Sequence, residues 1–135
     1  MQQQYLLKNP YDTYKEQGVL TAGPMELIIM LYNGLRKNMV LARRDMERDD
    51  PASAHGHLMK AQSIVNELIN SLDMSFGISK ELMAIYEFIL HKLREINVAK
   101  NPADIESLLE IVDILRDAWR EVNNSQKGGL YVKEE

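Results

Sequence analysis

The residues able to do chemistry in this chain are few: three histidines, His55, His57 and His91, an acidic row on a late segment, and no cysteine. A metal held inside a helical bundle needs Glu-x-x-His on two helices, because that spacing points both ligands inward to one ion. No Glu-x-x-His occurs. His55 and His57 stand two apart, which on a helix splays them to different sides, and His91 follows Glu87 by four, the spacing of an exposed ion pair. The tetrahedral-site patterns are not met, so neither metal nor cofactor is expected. Glu106, Glu110, Asp113 and Asp117 form a ridge at intervals of 4, 3 and 4, which reads as a solvated helix face and not as a catalytic centre. Without cysteine there is no thiolate nucleophile and no disulfide, which suits a reducing cytoplasm.

These groups must be positioned by helices. Pro24-Met-Glu-Leu-Ile-Ile-Met-Leu-Tyr-Asn-Gly34 opens the first, with proline suited to the first turn and Glu26 near the positive end of the dipole. Its apolar run from Leu27 to Tyr32 goes nearly all round and demands cover on most sides, so this helix is expected to lie centrally. Beyond it, Leu35, Met39, Ala42 and Met46 keep one stripe and turn Arg36, Lys37, Arg43 and Arg44 outward. Asp50-Pro51 announces a second helix with the stripe Ala54, Leu58, Ala61, Val65, Leu68 and Leu72, a strict alternation of 4 and 3. Asp73, Ser75 and Gly77 mark a break, and a third helix is expected from Ser79 with Leu82, Ile85, Ile89, Leu93 and Ile96 inward. Asn101-Pro102 repeats the cap signal for a fourth, with Ile105, Leu108, Val112, Leu115, Trp119 and Val122, ending by Asn123. The spacing predicts an all-α chain: an antiparallel four-helix bundle crossing at about 20°.

Length and charge bound the rest. At 135 residues one domain is expected: an N-terminal arm over 1–22, the bundle over 23–123 and a short flexible tail over 124–135. Twenty acidic against 16 basic residues, a net charge of -4, leave no basic field for a phosphate backbone, which argues against nucleic acid. No apolar run approaches the roughly 18 residues of a membrane span, and no export signal opens the chain, so the expected location is the cytoplasm, without membrane insertion. The arm carries Tyr5, Leu6, Leu7, Tyr11, Tyr14, Val19 and Leu20, interrupted by Pro10 and Gly18. It reads either as an ordered segment filling a core gap or as a movable one. A four-helix core needs about three of every seven positions, yet Ile28, Ile29, Ile64, Ile69, Met83, Phe88, Ile111 and Ile114 exceed that. The arm covers this surplus, or some of it is left outside the bundle.

One reading from another class rests on a partial motif. His57-Leu58-Met59-Lys60-Ala61 resembles the His-x-Leu-Lys-Gly pattern of histidine phosphotransfer domains, where an exposed imidazole carries the phosphoryl group and the lysine offsets its charge. Ala61 stands where those domains have glycine, and Met59 where they have leucine.

A wider resemblance runs through the chain. Asn9-Pro10-Tyr11-x-x-Tyr14, Thr21-Ala22-x-Pro24-x-Glu26-Leu27 and Leu31-Tyr32-Asn33-Gly34 resemble the opening of the FliS family of flagellar secretion chaperones. Lys60-Ala61-Gln62-x-Ile64 with Glu67-Leu68, then Tyr86-Glu87-Phe88, Asn97 and Asp117-Ala118-Trp119, follow in family order, over about residues 9 to 120. Gly23 departs from the usual serine, and Ile85 from the usual leucine. The resemblance implies a bundle that is not an enzyme and has no cofactor. It implies a chaperone that holds the C-terminal segment of unassembled flagellin in the cytoplasm, blocks premature polymerisation and delivers the subunit to a component of the flagellar export gate. By matching position it implicates Tyr11 and Tyr14 of the arm. Ile64, Met83, Phe88, Ile111 and Ile114 join them as groove residues, inferred from the surplus helix faces.

Overall fold

The computed structural model describes residues 24–133, all in helices and short connections. Helix α1 runs over Pro24–Glu47, α2 over Pro51–Asn70, α3 over Gly77–Ala99 and α4 over Ala103–Lys133. They form the expected antiparallel four-helix bundle. The arm, with Tyr11 and Tyr14, lies outside the described residues.

The connections are short because each helix end closes on itself. At the end of α1, Asp49 takes a left-handed conformation (φ 57°), which lets the Asp50 amide reach the Asp45 carbonyl at 2.8 Å and the Asp49 amide reach Met46. That is the hydrogen-bond pattern with which helices stop. Asp50 then caps α2 by accepting from the Ser53 amide, with Pro51 in the first turn. Between α2 and α3 the Asp73 carboxylate accepts from both the amide and hydroxyl of Ser75, and its carbonyl accepts from buried Ser79 at 2.5 Å. Helix α3 starts at Gly77, ahead of the expected Ser79, because Phe76 presents an extended backbone from which the turn can begin without a side-chain cap. Lys100, left-handed at φ 55°, ends α3, and Asn101 accepts from the Ala103 amide to launch α4.

The interior follows the stripes closely in α1 and α2 and departs from them in α3 and α4. Leu35, Met39, Ala42 and Met46 are buried, as are Ala54, Leu58, Ala61, Val65 and Leu68. In α3 the expected Ile85 is only half-buried while Tyr86 and Leu90 go fully inside, so that helix is rotated slightly from the expected face. In α4, Ile105, Leu108, Leu109 and Val112 are buried, Leu115 and Trp119 are half-buried, and Val122 is exposed. The helix also continues past Asn123 to Lys133, where the sequence reading placed a tail. An Asn pair is a weak stop, and each glycine of Gly128-Gly129 costs a helix only about 1 kcal/mol, whereas a proline would have ended it.

Helix α1 is central in the sense expected: it packs on both α2 and α4, and α2 in turn joins it to α3. Gly34 makes the α1/α2 approach close, since a β-carbon there would stand 3.4 Å from Ile64 Cδ1. The pair α3 and α4 shares the least contact of the four neighbouring pairs, so the ring of helices is nearly open along that seam.

Candidate site along the open seam

Two hollows lie on the α3/α4 seam, one near each end. Near the α3–α4 connection a cleft of about 190 Å³ has Phe88, Ile96, Leu108 and Ile111 as its apolar part and Lys92, Glu95, Asp104 and Ser107 around them. Lys92 stands 5.8 Å over the Phe88 ring and 3.3 Å from Glu95, whose carboxyl it holds below the usual carboxylate range. This cleft can therefore take an apolar group bordered by polar ones of either charge.

At the other end the wall is carbon. Ile78, Leu82, Ala118, Trp119 and Val122 line a cleft of about 290 Å³ made solely of apolar residues. An adjoining hollow of about 280 Å³ shares Ile78, Leu82 and Trp119 and extends to Ile28, Leu72, Phe76 and Tyr86. Phe76 at 61% and Ile78 at 60% exposure stand at its lip. Large apolar side chains held this far out, in a continuous patch, mark a surface that binds something.

The floor of this second region is built from an unusual core pair. Tyr32 on α1 and Tyr86 on α3 are fully buried, and their hydroxyls meet across the bundle at 2.5 Å. Burial pushes both phenols above their ordinary range.

Of the residues expected to form a groove, Phe88 and Ile111 do face each other across the seam, in the first cleft. Ile64 is elsewhere, packed toward Gly34 between α1 and α2. Met83 is half-buried on α3, outside the clefts described, and Ile114 is 68% exposed on α4, also outside them. At the richer end of the seam, Leu82, Trp119 and Val122 were read as core, and Ile78, ahead of the expected helix start at Ser79, was not singled out. No periodicity distinguishes the last turn of a core stripe from a rim, because both continue the same 3–4 spacing.

The chemistry that the histidines could do is constrained by their neighbours. His57 is only 25% exposed, with Nε2 3.6 Å from the Asp45 carboxylate and Nδ1 3.2 Å from Asn38 Oδ1. Buried Asp45 also accepts from Ser53 at 2.6 Å. A phosphoryl acceptor needs a free ring nitrogen and room for three charged oxygens, and a neighbouring carboxylate repels them. The geometry thus speaks against phosphotransfer at His57. His55 turns the other way, to Asn97, and His91 pairs with Glu95 at 2.9 Å, not with Glu87 as the spacing had suggested.

The acidic ridge is not simply solvated. Asp113 binds Arg36 at 2.7 Å and Glu106 binds Arg43, so two of the arginines expected to point outward instead tie α1 to α4. Among the described residues no cluster of histidine and carboxylate groups could hold a metal, and no helix is long and apolar enough to cross a membrane.

Comparison with known proteins agrees with this architecture. The family model described as flagellar protein FliS matches residues 7–126. The flagellar secretion chaperone FliS of Bacillus subtilis (strain 168) is 33% identical over 121 residues, covering 90% of this chain and 91% of the relative. Its counterpart in Salmonella typhimurium is 29% identical over 111 residues, covering 80% and 82%. A crystal structure described as a flagellar chaperone from bacteria superposes with a TM-score of 0.72 at 17% identity, covering 86% of this chain and 96% of that one.

Proposed function

The chain belongs to the FliS family of flagellar proteins, and from that premise we propose that it binds the C-terminal segment of unassembled flagellin in the cytoplasm. In doing so it keeps the subunit from polymerising early and hands it to a component of the flagellar export gate. It acts by binding alone, without catalysis or cofactor. The observation that carries this reading is the nearly open α3/α4 seam, with apolar clefts near both ends. An amphipathic helix laid along such a seam buries side chains spaced by three and four residues into successive hollows.

The energetics favour apolar anchoring. The chain's net charge of -4 offers little steering, and rim charges act mainly on association rate. A disordered client that folds along the bundle buries roughly 1,000–3,000 Å² and gives a negative heat-capacity change, with part of the gain offset by ordering it. Phe88 and Ile111 serve as anchors in this reading, Met83 and Ile114 as flanking apolar contacts, and Tyr11 and Tyr14 as arm residues that take part in the interaction. Ile64 lies apart from this seam, between α1 and α2 beside Gly34.

Co-expression with flagellin, with and without its C-terminal segment, tests the proposal. A stable complex that depends on that segment is expected. Equal binding of the truncated flagellin overturns it.

A further inference from the structure

We propose that the Tyr32–Tyr86 hydroxyl bond is the strut that sets the width of the α3/α4 seam, with Tyr32 a positioning residue that acts on the client site through Tyr86. The proposal rests on the reading of that seam as a client site, and adds the contact that holds its shape.

Three of the helices hold one another. Helix α1 packs on both α2 and α4, and the pairs Arg36–Asp113, at 2.7 Å, and Arg43–Glu106 add two ties between α1 and α4. Such partly exposed pairs contribute little stability, but they fix how α4 lies along α1. Helix α3 differs, because it packs mainly on α2 and meets α4 the least. It can swing about its α2 contact, away from α4, unless something joins it to the rest of the bundle. Apolar burial opposes that swing without selecting one distance, being non-directional. A hydrogen bond does select one, since it holds only over a narrow range of distance and angle. Helices α1 and α3 stand diagonally and are not packed as neighbours, yet the Tyr32 and Tyr86 hydroxyls meet at 2.5 Å in the interior. With α4 fixed on α1 and α3 tied to α1, the gap between α3 and α4 is defined.

The tie bears on the site because Tyr86 lines the hollow that also takes in Ile28, Leu72, Leu82 and Trp119, whereas Tyr32 lines none of the clefts described. Leu82 stands four residues before Tyr86 on one face of α3, and Phe88 on the same helix belongs to the other cleft. A displacement of α3 therefore moves walls at both ends of the seam. A groove that is not preset must be ordered by its client, and that cost is taken from binding.

Tyr32→Phe removes the bond without altering any residue that lines the clefts. It leaves the buried Tyr86 hydroxyl without this partner and lowers stability, whereas Tyr32→Phe/Tyr86→Phe removes both polar groups at nearly constant volume and is close to neutral. The chain has no cysteine, so one introduced pair takes spin labels selectively. Glu81→Cys/Glu121→Cys, both exposed, spans the seam, and Lys37→Cys/Glu110→Cys, also exposed, spans α1 and α4 as the control. In Tyr32→Phe and in the double variant the dipolar distance across the seam should lengthen or broaden, with the control distance unchanged. Each should bind a synthetic peptide of the flagellin C-terminal segment about tenfold more weakly, the scale of one hydrogen bond's net contribution. Lys37→Gly, at an exposed position inside α1, lowers stability through helix propensity and should leave peptide affinity as it is. An unchanged seam distance in the double variant overturns the proposal, as does wild-type affinity in Tyr32→Phe or an equal loss of affinity in Lys37→Gly. If the wild-type protein does not bind the peptide, the reading of the seam as a client site falls instead. The spin-label distances, which need no peptide, then decide the strut by themselves.

Discussion

The hydroxyls of Tyr32 on α1 and Tyr86 on α3 meet at 2.5 Å, with ring centroids 6.3 Å apart and planes inclined by 53°. The two helices thereby share a polar contact in an otherwise aliphatic interior, directly beneath the apolar end of the α3/α4 seam.

Alkaline unfolding should expose this pair. Burial raises both phenols, so the folded chain keeps their protons at a pH where the unfolded chain, with phenols near 10, has released them. Their contribution is intact below about pH 10 and is lost as pH rises further, with a limiting slope of about 2.7 kcal/mol per pH unit for two protons. Urea unfolding of the wild type between pH 9 and 11.5 should show that fall. A Tyr32→Phe/Tyr86→Phe variant should show a distinctly flatter one, and equal slopes refute the assignment.

The α2 start depends on one carboxylate. Asp50 accepts from the Ser53 amide and precedes Pro51, so Asp50→Ala should destabilise the bundle by about 1 kcal/mol, and Asp50→Asn by much less. Denaturant midpoints at constant slope measure this directly.

Gly34 reads as a position of limited clearance. A methyl there meets Ile64 Cδ1 at 3.4 Å, an ordinary contact, while the glycine-to-alanine change favours helix by about 1 kcal/mol. Gly34→Ala should therefore be neutral to stabilising. Gly34→Leu, with no room between α1 and α2, should cost about 1–3 kcal/mol through overpacking. Thermal melts of both variants check the sign of each.

Client binding and histidine phosphorylation discriminate between the chaperone and phosphotransfer readings. Phe88→Asp puts a charge into the first cleft and should weaken flagellin binding by more than about 2 kcal/mol, the scale of a binding hot spot. Tyr14→Ala should weaken it as well. His57→Gln should leave it intact, and acid-labile phosphate should be absent from His57 after incubation with acetyl phosphate. Calorimetric titration gives the affinities, and normal binding by Phe88→Asp removes that cleft from the site.

Much of the architecture was legible in the chain itself. The Leu27–Tyr32 run declared α1 central, Asp50-Pro51 and Asn101-Pro102 located two helix starts, and the stripes of α1 and α2 are the buried faces, Leu72 alone being only partly covered. These signals are local: a cap or a stripe depends on residues within one or two turns of each other. Tertiary structure decided what stands opposite each stripe. Periodicity states that Ile64, Phe88 and Trp119 belong to apolar faces, but only the assembled bundle assigns Ile64 to the gap beside Gly34, Phe88 to one cleft and Trp119 to another. Arg36 and Arg43 reach sideways across the surface to Asp113 and Glu106 for the same reason, since an ion pair between helices has no sequence spacing. The open seam likewise depends on how far α3 and α4 stand apart, a distance set by packing on α1 and α2 and written in neither helix alone.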